Sequence, residues 1–223
     1  ILALMLIGWL VSSEASALLQ VRNDGSSRYS AHINIGTAHP TNEFTYVWLM
    51  RYRIDRTNQF QTPQATGHGP DNNIGLDYIV SFDGSGGVSH NWAIGHEGND
   101  TYGTDAPEIG RVYCQALRRR NTGGSNWEQI FYYDVLTSIA KIAQQDTTIA
   151  FTWESGTYIK WGAVPWTDGE GMDGWIENAW IFDTDLTTTQ ITNQCNSATL
   201  ADGALSGNVF AHWPMVDDGN DIS

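Results

Sequence analysis

Aromatic side chains beside polar loop residues are the first candidates for chemistry in this chain, which holds 10 Trp, 9 Tyr and 7 Phe. An exposed ring can stack on the apolar face of a sugar while a neighbouring amide or carboxylate binds its hydroxyl groups. The candidates share a position beside a predicted loop. They are Trp92, Trp127 and Trp166 as stacking platforms, with Asn126 and Asp168 as hydroxyl partners. Core packing is the alternative for each tryptophan, whereas Trp48, Trp153 and Trp180 fall in mid-strand and are predicted to be buried.

Acidic loops supply the oxygen ligands that Ca²⁺ prefers. Three loops have this composition, namely residues 71–73, 96–100 and 168–173. Calcium is the only cofactor that the sequence suggests, with Asp100 and Asp173 as the expected ligands. Solvated turn residues are the alternative, because none of the loops has the ligand spacing of an EF-hand.

The positions of the cysteines and histidines exclude several common metal and catalytic motifs. Cys114 and Cys195 lie 81 positions apart, and neither belongs to a CxxC motif, which excludes a zinc ribbon and a thioredoxin-like site. They can form one disulfide, worth about 4 kcal/mol, in an oxidising compartment, or remain two buried thiols. No Gly-x-Ser-x-Gly elbow is present, and the six histidines are scattered.

The charge balance excludes two classes of partner. With 11 basic and 25 acidic residues the net charge is −14, which repels nucleic-acid phosphates and anionic membranes. Arg118, Arg119 and Arg120 form the only positive cluster. We expect it to be the solvated end of a hairpin, or else to pair with an acidic face of a neighbouring copy.

The elements that must position these residues are short and rich in β-formers. The predicted strands are residues 18–22, 31–35, 43–54, 77–82, 91–95, 111–117, 127–134, 147–153, 158–161, 175–182 and 209–213. Strand 43–54 is apolar on both faces, as in a central strand between two layers. Residues 62–73 are predicted to form a surface loop. A helical turn over 186–193, capped by Asp185 with Leu186 and Ile191 pointing inward, would close one end of the sandwich. The pattern predicts an all-β, two-sheet antiparallel jelly roll.

An apolar segment precedes this domain. Residues 1–11, from Ile1 to Val11, are apolar without interruption, and Ala15-Ser16-Ala17 is typical of a signal-peptidase site. A helix over this run would span about 16 Å, too short for the hydrocarbon layer of about 30 Å. We therefore divide the chain into a segment 1–17 and a domain 18–223. The segment is signal-like, packs on its own domain, or connects to another copy of the chain.

Three stretches resemble laminin-G-like, concanavalin A-like domains. Residues 148–163 are similar to a strand, a Gly turn and a tyrosine-bearing strand of that family. Residues 173–186 resemble its closing strand and the Leu-Ser/Thr turn, and residues 43–52 resemble its early tryptophan-bearing strand. The resemblance implies a twisted antiparallel sandwich, commonly glycan-binding and often calcium-dependent.

The same superfamily includes β-glucanases, in which two catalytic carboxylates lie on one strand as Glu-x-Asp-x-x-Glu. This spacing is absent from the chain, and the glycines between Asp168, Glu170 and Asp173 place those acids on a turn. We therefore expect a non-catalytic, extracellular glycan-binding module displayed in a multi-copy surface assembly. The alternative is a purely structural subunit of an extracellular filament or virion, and a glycoside hydrolase is a weaker third hypothesis.

Overall fold

The computed structural model describes residues 19–23, 28–29, 31–33, 40, 43–53, 61–68, 78–83, 91–96, 99–102, 108–122, 125–147, 157–162 and 172–213. This part of the chain is all-β, as predicted. Its strands are β1 (Leu19–Asn23), β2 (Arg28–Tyr29), β3 (Ala31–Ile33), β4 (Phe44–Tyr52), β5 (Gln61–His68), β6 (Tyr78–Asp83), β7 (Asn91–His96), β8 (Asn99–Tyr102), β9 (Tyr113–Thr122), β10 (Ser125–Asp134), β11 (Ile139–Thr147), β12 (Thr157–Trp161), β13 (Gly174–Phe182) and β14 (Val209–Trp213). The helix α1 (Thr188–Cys195) and a 3₁₀ helix (Gly203–Asn208) lie between β13 and β14.

The strands form two antiparallel sheets. In the first sheet the order is β11-β10-β9-β4-β13-β1-β2, and β14 shares one edge of β13 with β1. In the second sheet the order is β3-β12-β5-β6-β7-β8. Strand β7 contacts β10, and β8 contacts β11, so the two sheets approach each other along this side.

The predicted strands that fall on described residues overlap observed strands, whereas most of strand 147–153 lies outside them. The predicted surface loop at 62–73 is wrong over its first part, because Gln61–His68 is strand β5. Its Pro63 falls where the pairing with β6 shifts register, between Gln61 and Gln64. Proline is tolerated at such an irregularity because it has no N–H to donate to the ladder.

The inner core lies between the sheets. Phe44, Tyr46 and Trp48 alternate along β4, and all three are fully buried. Trp161 of β12 brings the second sheet into this core, with its ring 5.5 Å from the Trp48 ring in an edge-to-face arrangement. Trp48 is thus a core residue, as predicted.

A bulge in β13 changes which of its positions face the inner core: even-numbered positions before the bulge and odd-numbered positions after it. Ile176 belongs to the inner core, but so do Ala179 and Ile181, three and five positions later. The pairing with β4 shifts register between Glu177 and Trp180. Asn178 takes up the extra position with φ 52°, in the left-handed region that asparagine tolerates better than most residues. Trp180 therefore faces the opposite side of the sheet.

Residues 183–208, which we call the outer layer, cover that opposite side of the first sheet. Leu186 and Ile191 are buried there beside Phe131 and Trp180, so the inward direction predicted for them is confirmed. The helix does not close one end of the sandwich as predicted, because it packs on a sheet face. Strand β4 is therefore buried on both sides, by the second sheet and by the outer layer.

Two links fasten the outer layer to the sheet. Cys114 of β9 and Cys195 of α1 form a disulfide, which resolves the alternative left open by the sequence. Thr45 of β4 donates through its hydroxyl to the carbonyl of Thr184 and accepts from the N–H of Leu186, both at 2.9 Å. One end of the layer is thereby held by hydrogen bonds and its middle by a covalent bond.

Candidate functional site

The arginine triplet is divided between the two faces of β9. Arg119 lies in the interior and is fully buried, whereas Arg118 and Arg120 fall on the face that carries the outer layer. The expectation of a solvated hairpin end is wrong for Arg118 and Arg119, because strand alternation and the outer layer remove them from water. Only the Arg120 side chain is substantially exposed, at 45%.

Arg118 and Arg120 share one carboxylate. Arg120 Nη2 lies 2.6 Å from Asp185 Oδ2, and Arg118 Nη1 lies 3.6 Å from Asp185 Oδ1. The Asp185 side chain is only 3% exposed, and within the described part of the chain Oδ1 accepts no hydrogen bond. Asp185 is therefore not the helix cap that was predicted. Thr187 caps α1, in a capping box with Gln190.

Gln129 completes this group, which we call the arginine–aspartate cluster: Arg118, Arg120, Gln129 and Asp185. Arg118 Nε donates to Gln129 Oε1, and Arg118 Nη1 donates to the carbonyl of Leu186, both at 2.5 Å. Burial lowers the pKa of Arg118, while the negative charge of Asp185 opposes that shift. Arg118 is thus fixed by several acceptors, and Arg120 is the arginine of the cluster that faces solvent.

The strand register places one backbone position named in the sequence analysis next to this cluster. Position 127 pairs with Arg120 across the β9–β10 ladder, and Gln129 pairs with Arg118. Because side chains alternate along a strand, positions 127 and 129 share the outer face, and position 126 belongs to the inner face. Positions 126 and 127 therefore belong to opposite faces of the sheet.

The remaining predicted platforms are Trp92 and Trp166. Trp92 lies in β7 of the second sheet, where it pairs with Phe82. Trp166 and its proposed partner Asp168 lie outside the described residues.

The two predicted calcium ligands differ in their surroundings. Asp173 is fully buried, and its two carboxylate oxygens lie 2.6 and 2.8 Å from Arg53 Nε and Nη2. Arg53 would have to leave before Asp173 could bind a cation. Asp100 lies in β8 opposite Gly95. Over the ranges given above, no group of three or more His, Cys, Asp or Glu side chains is placed to hold a metal ion.

A second polar and aromatic group, not foreseen from the sequence, joins β13, β14 and the outer layer. The His212 ring stacks on Trp180 with centroids 3.5 Å apart, and its Nε2 lies 2.8 Å from Asn178 Oδ1. Asn178 Nδ2 also donates to the carbonyl of Ser197 at 3.2 Å. Burial lowers the pKa of His212. Sequence reasoning missed this group because only the bulge at Asn178 aligns it with His212.

Among the described residues, no helix is long and apolar enough to cross a membrane.

Comparisons with known proteins identify the fold and nothing finer. No family model matches the sequence, and no curated protein matches it. Tailspike protein 2 of Escherichia coli O157:H7 bacteriophage CAB120 has a TM-score of 0.56 and 13% identity, covering 89% of this chain and 28% of its own. The chain thus corresponds to less than a third of that tailspike.

Two smaller proteins match over most of their own length. CBM40 of the Ruminococcus gnavus IT-sialidase, solved bound to α2,3-sialyllactose, has a TM-score of 0.52 and 13% identity, covering 74% of this chain and 95% of its own. A heptameric SAP-like pentraxin from Limulus polyphemus has a TM-score of 0.54 and 9% identity, covering 88% and 91%. The fold is a two-sheet antiparallel jelly-roll β-sandwich. At these identities, the similarity extends to the fold alone.

Proposed function

We propose that this chain is a non-catalytic glycan-binding module whose binding surface is centred on the arginine–aspartate cluster. The observation that carries the proposal is the register of β9 and β10, which places position 127 beside Arg120. An aromatic residue is thereby paired with a half-exposed guanidinium next to a carboxylate. This combination suits a sugar, which presents both apolar C–H faces and hydroxyl groups.

Each member of the cluster has a separate role in the proposal. Trp127 supplies the stacking platform. Arg120 donates to sugar hydroxyls while Asp185 holds its guanidinium in place. When the Arg120 side chain moves to the ligand, Asp185 Oδ1 accepts a hydrogen bond from a ligand hydroxyl. Arg118, which is itself held by Gln129, keeps the Asp185 carboxylate in position. Similarity in fold to a CBM40 that was solved with sialyllactose supports the same function.

We further propose that the module is extracellular and displayed in multiple copies. The disulfide between Cys114 and Cys195 supports an oxidising compartment. The similarity to a phage tailspike supports display on a surface assembly, with residues 1–11 as the connector between copies. A purely structural subunit of a filament or virion is the second candidate, favoured by the same tailspike match.

A glycan array tests the binding function. We expect the wild-type chain to bind a defined subset of glycans, and the Arg120→Ala and Trp127→Ala variants to lose at least tenfold in affinity for them. Arg51→Ala is the matched control, because Arg51 lies on the same sheet and instead stacks on Trp175 at 4.3 Å. Equal binding by Arg120→Ala and wild type would refute the site. A chain that binds no glycan would leave the structural subunit as the better function.

Two further measurements address catalysis and calcium. Incubation of the bound glycans with the protein should release no reducing sugar, and any release that Glu170→Gln abolishes would contradict a non-catalytic module. Repeating the array in EDTA tests the proposal that Asp100 and Asp173 bind calcium for recognition. Unchanged binding would exclude that role.

A further inference from the structure

The inner core contains polar groups that have no hydrogen-bond partner among the described residues. Gln115 of β9 is fully buried, and neither its amide nitrogen nor its amide oxygen has a hydrogen-bond partner within the described part of the chain. The same holds for the indole nitrogens of Trp48 and Trp161, which are also fully buried. Buried polar groups in folded proteins are nearly always bonded to protein or to ordered water.

These three residues lie together at the centre of the sandwich. Trp48 and Gln115 are direct cross-strand neighbours in the β4–β9 ladder, and both point away from the outer layer. Trp161 approaches from the second sheet, with its ring 5.5 Å from that of Trp48. The residues that carry the unsatisfied groups therefore come from both sheets, and Trp48 is a neighbour of each of the other two.

A second buried glutamine shows that the chain can satisfy such a side chain. Gln194 of α1 is 3% exposed. Its Nε2 donates to the carbonyl of Thr199, and its Oε1 accepts from the N–H of Ala201, both at 3.0 Å. The unsatisfied state of Gln115 is thus not a general property of buried glutamine side chains in this chain.

We infer that Gln115, Trp48 and Trp161 form an internal binding site for ordered water that bridges the two sheets. The set contains a surplus of N–H donors and one carbonyl acceptor. A metal cation is unsuited to such donors, whereas a water oxygen accepts two hydrogen bonds and its protons serve the Gln115 carbonyl. Water in a protein interior makes about three such bonds. The site lies on the opposite face of the first sheet from the arginine–aspartate cluster and does not depend on glycan binding.

Nuclear magnetic resonance and crystallography test the inference directly. In the ¹⁵N-labelled full chain, the indole N–H signals of Trp48 and Trp161, assigned through single Trp→Phe variants, should show cross-peaks to long-lived water. A high-resolution crystal structure should show a water molecule within hydrogen-bond distance of both Trp48 and Gln115. Density with the scattering of chloride, or a direct bond from Trp48 Nε1 to Gln115 Oε1 with no water, would overturn it.

Stability measurements test the inference independently, because the direction of the change in Gln115→Leu depends on whether water is bound. If water connects the groups, Gln115→Leu removes its anchor and leaves two buried indole N–H groups unsatisfied, so the folding equilibrium constant should fall about fivefold or more. If no water is present, the same change removes two unsatisfied atoms and the constant should rise. Gln194→Leu is the matched control and should lower the constant in either case. Glycan binding should remain unchanged in Gln115→Leu.

Discussion

At the residue scale, the ion pair between Asp173 and Arg53 joins the end of β4 to the start of β13. The guanidinium bonds both carboxylate oxygens, and the backbone N–H of Arg53 also donates to the Asp173 carbonyl at 2.8 Å. Because Asp173 is fully buried, Asp173→Asn should lower the free energy of unfolding by about 2 kcal/mol. Urea denaturation measures this difference.

The control for this pair is Glu108→Gln, which weakens the contact between Glu108 and Arg111. The Glu108 side chain is 71% exposed, and exposed pairs contribute between about 0 and 1 kcal/mol. A rise in wild-type Tm on adding Ca²⁺ that is absent in Asp173→Asn would contradict a purely structural carboxylate and favour the metal-ligand prediction.

His212 makes stability depend on pH. Burial lowers its pKa below the ordinary value of 6.5, so the unfolded chain binds a proton more readily than the folded chain. The stability contributed by neutral His212 is present above pH 6.5 and declines as the pH falls below that value towards the folded-state pKa. His212→Phe keeps a ring beside Trp180 but cannot titrate. The difference in unfolding free energy, wild type minus variant, should therefore decrease between about pH 8 and pH 5, and a constant difference would refute the assignment.

At the scale of elements, the disulfide determines how firmly the outer layer is held. It closes a loop of 81 residues, for which chain entropy predicts a stabilisation of about 4 kcal/mol. The double variant Cys114→Ala/Cys195→Ala should lose about this much, as measured by chemical denaturation under non-reducing conditions. In the presence of reductant, wild type and variant should converge. Identical denaturation midpoints without reductant would show that the hydrogen bonds of Thr45 and the apolar packing of Leu186 and Ile191 hold the layer without the disulfide.

A strand with many apolar β-forming residues could be predicted from the sequence. A strand of polar residues, which is stabilised mainly by pairing with neighbouring strands, could not. The pattern from Phe44 to Tyr52 predicts a strand with two buried faces, and the structure contains it. Strand β5 has a polar sequence with Pro63 and Gly67 and exists because β6 and β12 pair with it on both sides. Asp185 was expected to cap a helix because local sequence reveals nearby backbone N–H groups, but not arginines on a distant strand.

At the scale of the whole molecule, the apolar run at residues 1–11 predicts assembly. Each large side chain left in water forgoes about 1.5–3 kcal/mol of burial, so the segment needs an apolar surface. We expect the full chain to form multi-copy assemblies and a variant lacking residues 1–17 to be a folded monomer. Analytical ultracentrifugation and circular dichroism distinguish these states. An intact chain that is monomeric, together with a truncated chain that unfolds, would instead assign the segment to its own core.

The bulge at Asn178 inserts one extra residue into β13 and so reverses which positions face each side of the sheet. Upstream of it, odd-numbered positions face the outer side, as Trp175 does, whereas downstream the even-numbered positions Trp180 and Phe182 do. Deleting residue 178 would remove the bulge, because Ala179 would then lie opposite Trp48 in a regular ladder, and Trp180 would keep its outward direction. Homologous chains could therefore lack residue 178 and still keep the outer layer that receives Trp180.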